Sequence, residues 1–136
     1  MSPKAPHFSV VAPIFPVTDM ETSLHYYREA LFFKVGFTWP PTPEGAAAIA
    51  KEYAIVQKED TELHLTLCPP PKMSKARAYF FLTGIDAYYE AVTQSHHQIP
   101  EQISQGLATQ PWGMREFEVI DPDGHVLIFG AHISDA

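Results

Sequence analysis

Apolar and β-branched residues run from Phe8 to Pro16, the pattern of a strand. Met20, Leu24, Tyr27 and Leu31 then recur at i, i+4, i+7 and i+11, which predicts a helix with one apolar stripe. Asp19 before it suits an N-cap, and Glu21 suits the positive end of the helix dipole. Val35 to Trp39 reads as a second strand, stopped by Pro40, Pro41 and Pro43, and Ala48 to Gln57 as a third. Lys58-Glu59-Asp60 forms a charged hairpin turn. From Glu62 to Cys68 the alternation is clean: Leu63, Leu65 and Leu67 take one face, and Glu62, His64 and Thr66 the other.

After Pro69, Pro70 and Pro71 the plan returns. Arg77 to Leu82 is a strand, Ile85 to Ser95 a helix and Ile103 to Thr109 a short strand. From Arg115 to Ile120, Phe117 and Val119 oppose Glu116 and Glu118, and Val126 to Ala131 closes the series. Asp121-Pro122-Asp123-Gly124 is a β-turn in which proline presets φ and glycine tolerates φ > 0. The two halves also share residues. Val17-Thr18-Asp19-Met20-Glu21 parallels Leu82-Thr83-Gly84-Ile85-Asp86, and Tyr26-Tyr27-Arg28-Glu29-Ala30 parallels Tyr88-Tyr89-Glu90-Ala91, at an offset of about 65 residues, as a duplicated module would give. Each half therefore reads β-α-β-β-β. The class is α+β: one domain, 1–136, made of module 1–70 and module 71–136. The leucine faces should pack on the helices and leave the polar-containing faces free.

Composition narrows the class of protein. With 136 residues, 46% of them apolar, the chain can bury a core, which excludes a disordered protein. No stretch approaches the ~20 apolar residues that span a bilayer. Met1 to Pro6 lacks the apolar centre of a signal peptide. A single cysteine, Cys68, allows no intramolecular disulfide and points to the cytoplasm. The net charge of −7 argues against a nucleic-acid partner. It is uneven: residues 1–72 carry six basic and eight acidic side chains, and residues 73–136 carry three and eight. Solubility accounts for such a balance; an attractive field for a cationic ligand would use it.

Pro111-Trp112-Gly113-Met114-Arg115-Glu116-Phe117 followed by Asp121-Pro122-Asp123-Gly124 is similar to the signature of the bleomycin resistance branch of the vicinal oxygen chelate superfamily. Thr61-Glu62-Leu63-His64-Leu65 and Ile85-Asp86-Ala87-Tyr88-Tyr89 fit the same group, and the likeness spans roughly residues 8–132. The resemblance implies a curved mixed sheet with helices on its outer face. It also implies a homodimer, with exchange of N-terminal strands as an option that Pro13 and Pro16 would suit. Metalloenzymes of the superfamily hold a divalent cation on the inner faces. The places that match their ligands here hold Ala12, Arg77 and Ile128, none of which can serve a hard metal. The expectation is a protein without metal or other cofactor, leaning away from an enzyme.

For the site itself, Trp112 sits in a loop with no periodic core reason to be there, and the resemblance implies that it lines a drug groove. Phe33 and Phe37 match aromatic groove positions, and Trp39 and Tyr53 could join them; ordinary core roles are the competing reading. Leu31-Phe32-Phe33 stands where Leu-Gly-Phe is usual, so the local turn is expected to differ. His64 points to the non-leucine face, either toward a ligand or as plain packing. His96-His97 reads as surface dipole compensation at a helix end, His25 as exposed, and His125 as a turn residue. Glu116 and Glu118 share a face and would take a cation, or are simply solvated. Together with the resemblance, these residues imply sequestration of a flat, cationic drug such as one of the bleomycin class. A diverged metal-dependent lyase or dioxygenase using His64 and Glu118 is the alternative, and a metabolite sensor is a third class.

Overall fold

The computed structural model describes residues 4–70 and 73–136. The junction expected at Pro69–Pro71 lies partly outside the described residues, since Pro71 is not among them. The first module runs β1 (Ile14–Val17), α1 (Met20–His25), β2 (Lys34–Trp39), β3 (Tyr53–Lys58) and β4 (Thr61–Leu67). The second runs β5 (Arg77–Phe81), α2 (Ile85–Ser95), β6 (Ile103–Thr109), β7 (Met114–Ile120) and β8 (Val126–His132). Each module has its own four-stranded mixed sheet, ordered β1-β4-β3-β2 and β5-β8-β7-β6, with the first strand parallel to its neighbour and the others antiparallel. The duplicated plan legible in the residues is thus the architecture.

The alternating patterns place the core. Phe15, Val17, Ala54, Val56, Leu63 and Leu65 point from the first sheet toward the helices; Phe80, Phe117, Val119, Leu127 and Phe129 do so from the second, and all join one buried cluster. Asp19 caps α1 as expected, its carboxylate accepting the Thr22 N–H at 3.0 Å. Gly84 takes the same place before α2 at φ 71°, a left-handed conformation that glycine adopts at little cost. The chain just past α1 touches α2: the Tyr88 hydroxyl donates to the Leu31 carbonyl at 2.8 Å, and the Ser95 hydroxyl to that of Ala30 at 2.7 Å.

Four expectations about strand and helix bounds and faces need correction. The first strand begins at Ile14, not Phe8; Phe8, Val10 and Val11 are exposed, because no strand pairs with them. The third begins at Tyr53, not Ala48, since the alanine-rich stretch before it has too little side chain to hold a sheet position. Leu67 is exposed although it continues the leucine face, because it lies at the very end of β4. Past His25 the first helix becomes a π-helical turn, Tyr26–Ala30. The extra residue in that turn lets two successive tyrosines, Tyr26 and Tyr27, both face inward.

Those tyrosines lead to a polar seam between the modules. Tyr26 donates to His96 Nε2 at 2.8 Å, while His96 Nδ1–H donates to the Val92 carbonyl. His96 is fully buried, which corrects its surface reading, and burial lowers its pKa. Tyr27 donates to Asp121 at 2.7 Å, and Asp121 also accepts the N–H groups of Asp123 and His125. Asp123 reaches the start of α1, accepting from the Thr18 hydroxyl at 2.6 Å. His125, also buried, accepts the Ala76 N–H at Nδ1 and donates from Nε2 to the Pro16 carbonyl. The Asp121–Gly124 turn is therefore the tie that docks the second module on the first.

Candidate functional site

With one face of each sheet packed on helices, the other face is open. Strand register arranges the first module's open face in rows. Trp39, Tyr53 and Thr66 lie side by side across β2, β3 and β4; Phe37, Ile55, His64 and Ile14 form the next row; Gln57 and Glu62 follow. Phe37 and Trp39 are 47% and 52% exposed, unusual for large apolar rings on a sheet. Through this bed runs a polar chain. The Tyr53 hydroxyl lies 2.6 Å from His64 Nδ1, and His64 Nε2 lies 2.9 Å from Glu62 Oε1. An ionised carboxylate only accepts, so Nε2 carries the proton. In the neutral ring Nδ1 is then bare and accepts from Tyr53.

The second module's open face carries Arg77, Tyr79 and Phe81 from β5, Glu116 and Glu118 from β7, and Ile128 from β8. Glu116 Oε2 accepts from the Tyr79 hydroxyl at 2.5 Å and from the Trp112 indole N–H at 3.4 Å. Burial, then the bond to Glu116, push the Tyr79 phenol above its usual range, so it stays a donor. Trp112, 66% exposed, lies beside this carboxylate in the turn before β7. Glu118 accepts from Ser104 at 2.9 Å and lies 3.9 Å from the Arg77 guanidinium. A cleft of about 460 Å³ is lined by Val10, Val11 and Glu62 of the first module and by Tyr79 and Phe81 of the second.

The structure thus brings Phe37, Trp39, Tyr53 and His64 onto one open face, and Trp112, Glu116 and Glu118 onto the other. Phe33 joins neither. It is 3% exposed and packs edge-on against Tyr27 and Phe80, because it precedes β2 on the helix side. Its neighbour Phe32 takes φ 65°, so the turn keeps the left-handed conformation that the usual glycine would adopt instead of changing shape. Glu62, Tyr79 and Phe81 belong to the site and were not singled out from the chain. Their signal was the period of two: each alternates with a core residue, Leu63 or Phe80.

The donor set does not fit a metal. Ala12 precedes β1, while Arg77 and Ile128 lie on the second open face without a lone pair to offer a cation. Both nitrogens of His64 are engaged, and Glu118 is compensated by Arg77 and Ser104. Among the described residues, no three His, Cys, Asp or Glu side chains converge as a metal would need. At the place of a metal ligand the face carries a guanidinium.

Comparison with known proteins agrees with this architecture. The family model of the Glyoxalase/Bleomycin resistance protein/Dioxygenase superfamily matches residues 5–129. The chain belongs to this superfamily. TioX from Micromonospora sp. ML1 has the same fold, with TM-score 0.75 and 17% identity over 93% of this chain and 100% of that one. A glyoxalase-related enzyme from Clostridium phytofermentans gives 0.72 and 23% over 96% and 100%. The bleomycin-binding protein of bleomycin-producing Streptomyces verticillus, solved with copper(II)-bleomycin, gives 0.68 and 19% over 93% and 98%. At these identities the likeness is one of fold. No match was found among the curated proteins. Among the described residues no helix is long and apolar enough to cross a membrane.

Proposed function

We propose that this superfamily member is a small-molecule binding protein that sequesters a flat, cationic, drug-like compound of the bleomycin class without changing it. The observation that carries the reading is the exposed Trp112 ring, whose indole N–H reaches Glu116 on an open sheet face: a ring for stacking beside a carboxylate for charge. Phe37 and Trp39 supply a second aromatic surface. The exposed apolar arm, Phe8 to Val11, supports a homodimer in which arms are exchanged and the groove closes between the first module of one protomer and the second module of its partner. The single cysteine suits a reducing cytoplasm.

Calorimetry with metal-free bleomycin, alongside size-exclusion chromatography with light scattering, tests the reading. Saturable binding with Kd on the order of micromolar or tighter by a dimer is expected. A folded dimer that shows no saturable binding removes the drug-binding reading.

A further inference from the structure

The Tyr53–His64–Glu62 chain decides which polarity the first open face shows to a ligand. We propose that it is a recognition subsite for a hydrogen-bond donor, a protonated nitrogen on a flat ring system, and that proton uptake by His64 reverses its preference. The proposal rests on the binding function above and names the chemistry of its ligand.

With His64 neutral, the Tyr53 proton is committed to Nδ1 at 2.6 Å. What remains toward the open face is the lone-pair side of the phenol oxygen, flanked in register by Trp39 and Thr66. Such a group takes an N–H and has no proton for a carboxylate. Glu116 on the other face is likewise an acceptor, its Oε2 already supplied by Tyr79 and Trp112. Both halves therefore ask for donors. When His64 gains a proton, Nδ1–H must donate, and the acceptor it faces is the Tyr53 oxygen. The hydroxyl proton then turns outward, and the face has gained a positive charge. A cationic donor loses its acceptor and meets repulsion, while an anionic acceptor gains a partner. Beside His64 lie Glu62 on its own strand, which keeps its bond in both states, Tyr53, hydrogen-bonded from β3, and the register neighbours Ile55 on β3 and Ile14 on β1; Arg77, Glu116 and Glu118 are the charges of the other open face.

A matched pair of probes, 2-naphthamidine and 2-naphthoate, tests this by calorimetry at pH about 8 and about 5.5. The wild type should prefer the amidine at the higher pH, with that preference falling about tenfold at the lower, roughly one hydrogen bond to a charged group. His64→Gln should bind the amidine with a preference independent of pH. Tyr53→Phe should weaken the amidine about fivefold or more at the higher pH and leave the naphthoate unchanged. Amidine binding with a pH-independent preference in the wild type, or an equal pH response in His64→Gln, overturns the proposal and leaves the function standing. Failure of both probes and of bleomycin at either pH removes both readings.

Discussion

Tyr27 and Asp121, 94 positions apart, are joined by a 2.7 Å hydrogen bond in the buried seam between the two modules. The phenol comes from the π-helical turn of the first module and the carboxylate from the Asp121–Gly124 turn of the second. Burial raises the Asp121 carboxyl above the ordinary 3.8, and the bond from Tyr27 pulls it back down. A raised carboxyl favours the proton-bound folded state, so this group's stabilisation is present at acid pH and is lost as pH rises through the folded value. Tyr27→Phe removes one of the donors that hold the charged form. It should cost about 1–3 kcal/mol at neutral pH. The cost should be smaller at acid than at neutral pH, because the raised carboxyl takes up a proton as pH falls and then needs fewer donors. Urea unfolding at the two pH values measures the difference; an equal cost at both would refute the role of the charge.

His96 responds with the opposite sign. Burial lowers its pKa below 6.5, so the unfolded chain takes a proton that the fold refuses. Stability from this group is complete above 6.5 and is lost as pH falls from there through the lowered value. His96→Gln should be less stable than the wild type near neutral pH, having lost the Tyr26 partner, and should lack this acid decline. The difference between the two pH–stability curves is the measurement.

Phe32 holds φ 65° in the turn after Leu31, a region that costs an L-residue about 1–2 kcal/mol. Phe32→Gly relieves that strain and gives part of the gain back as entropy of the unfolded chain. A net gain of roughly 0.5–1 kcal/mol in urea unfolding is expected, whereas Phe32→Val, branched at Cβ, should lose stability.

Arg77 and Glu118 form a solvent-screened pair at 3.9 Å, with the arginine side chain 65% exposed. Such a pair contributes about 0.2–1 kcal/mol. Arg77→Gln should barely alter stability. It should leave Glu118 uncompensated and tighten binding of a cationic ligand by about two- to fivefold at low salt, an advantage that fades as salt rises. Calorimetric titration across salt concentrations decides it.

Trp112 is exposed, so Trp112→Ala should unfold like the wild type. Loss of its stacking surface should nonetheless weaken an aromatic ligand by about 0.5–1.5 kcal/mol. A variant that binds as tightly as the wild type would place the ligand elsewhere.

Much of this molecule is legible along the chain because its signals are local. The periods of two and 3.6 mark the strands and helices, and the repeat at about 65 residues divides them into two like modules. Leu63 against His64, and Phe117 against Glu116 and Glu118, separate the core face from the open face before any contact is known. Strand ends were less legible: apolar character at Phe8–Val11 reads as strand although no strand among the described residues pairs with it, and the alanine-rich start at Ala48 mimics strand pattern without the bulk to be held.

What only the tertiary structure decided concerns groups whose meaning depends on distant partners. Histidine after a helix reads as a surface residue; His96 is buried because Tyr26, 70 positions earlier, satisfies its ring. A β-turn reads as a solvent-exposed reversal; Asp121, Asp123 and His125 make it the clasp between modules because Tyr27, Thr18 and Pro16 stand opposite. Phe33 is core and Phe37 lies on the open face, although strict alternation would give residues four apart one face, because the register shift between Val35 and Phe37 breaks the alternation. Alternation says which residues share a face. Only packing says which face is covered, and which polar groups find the partners that let them be buried.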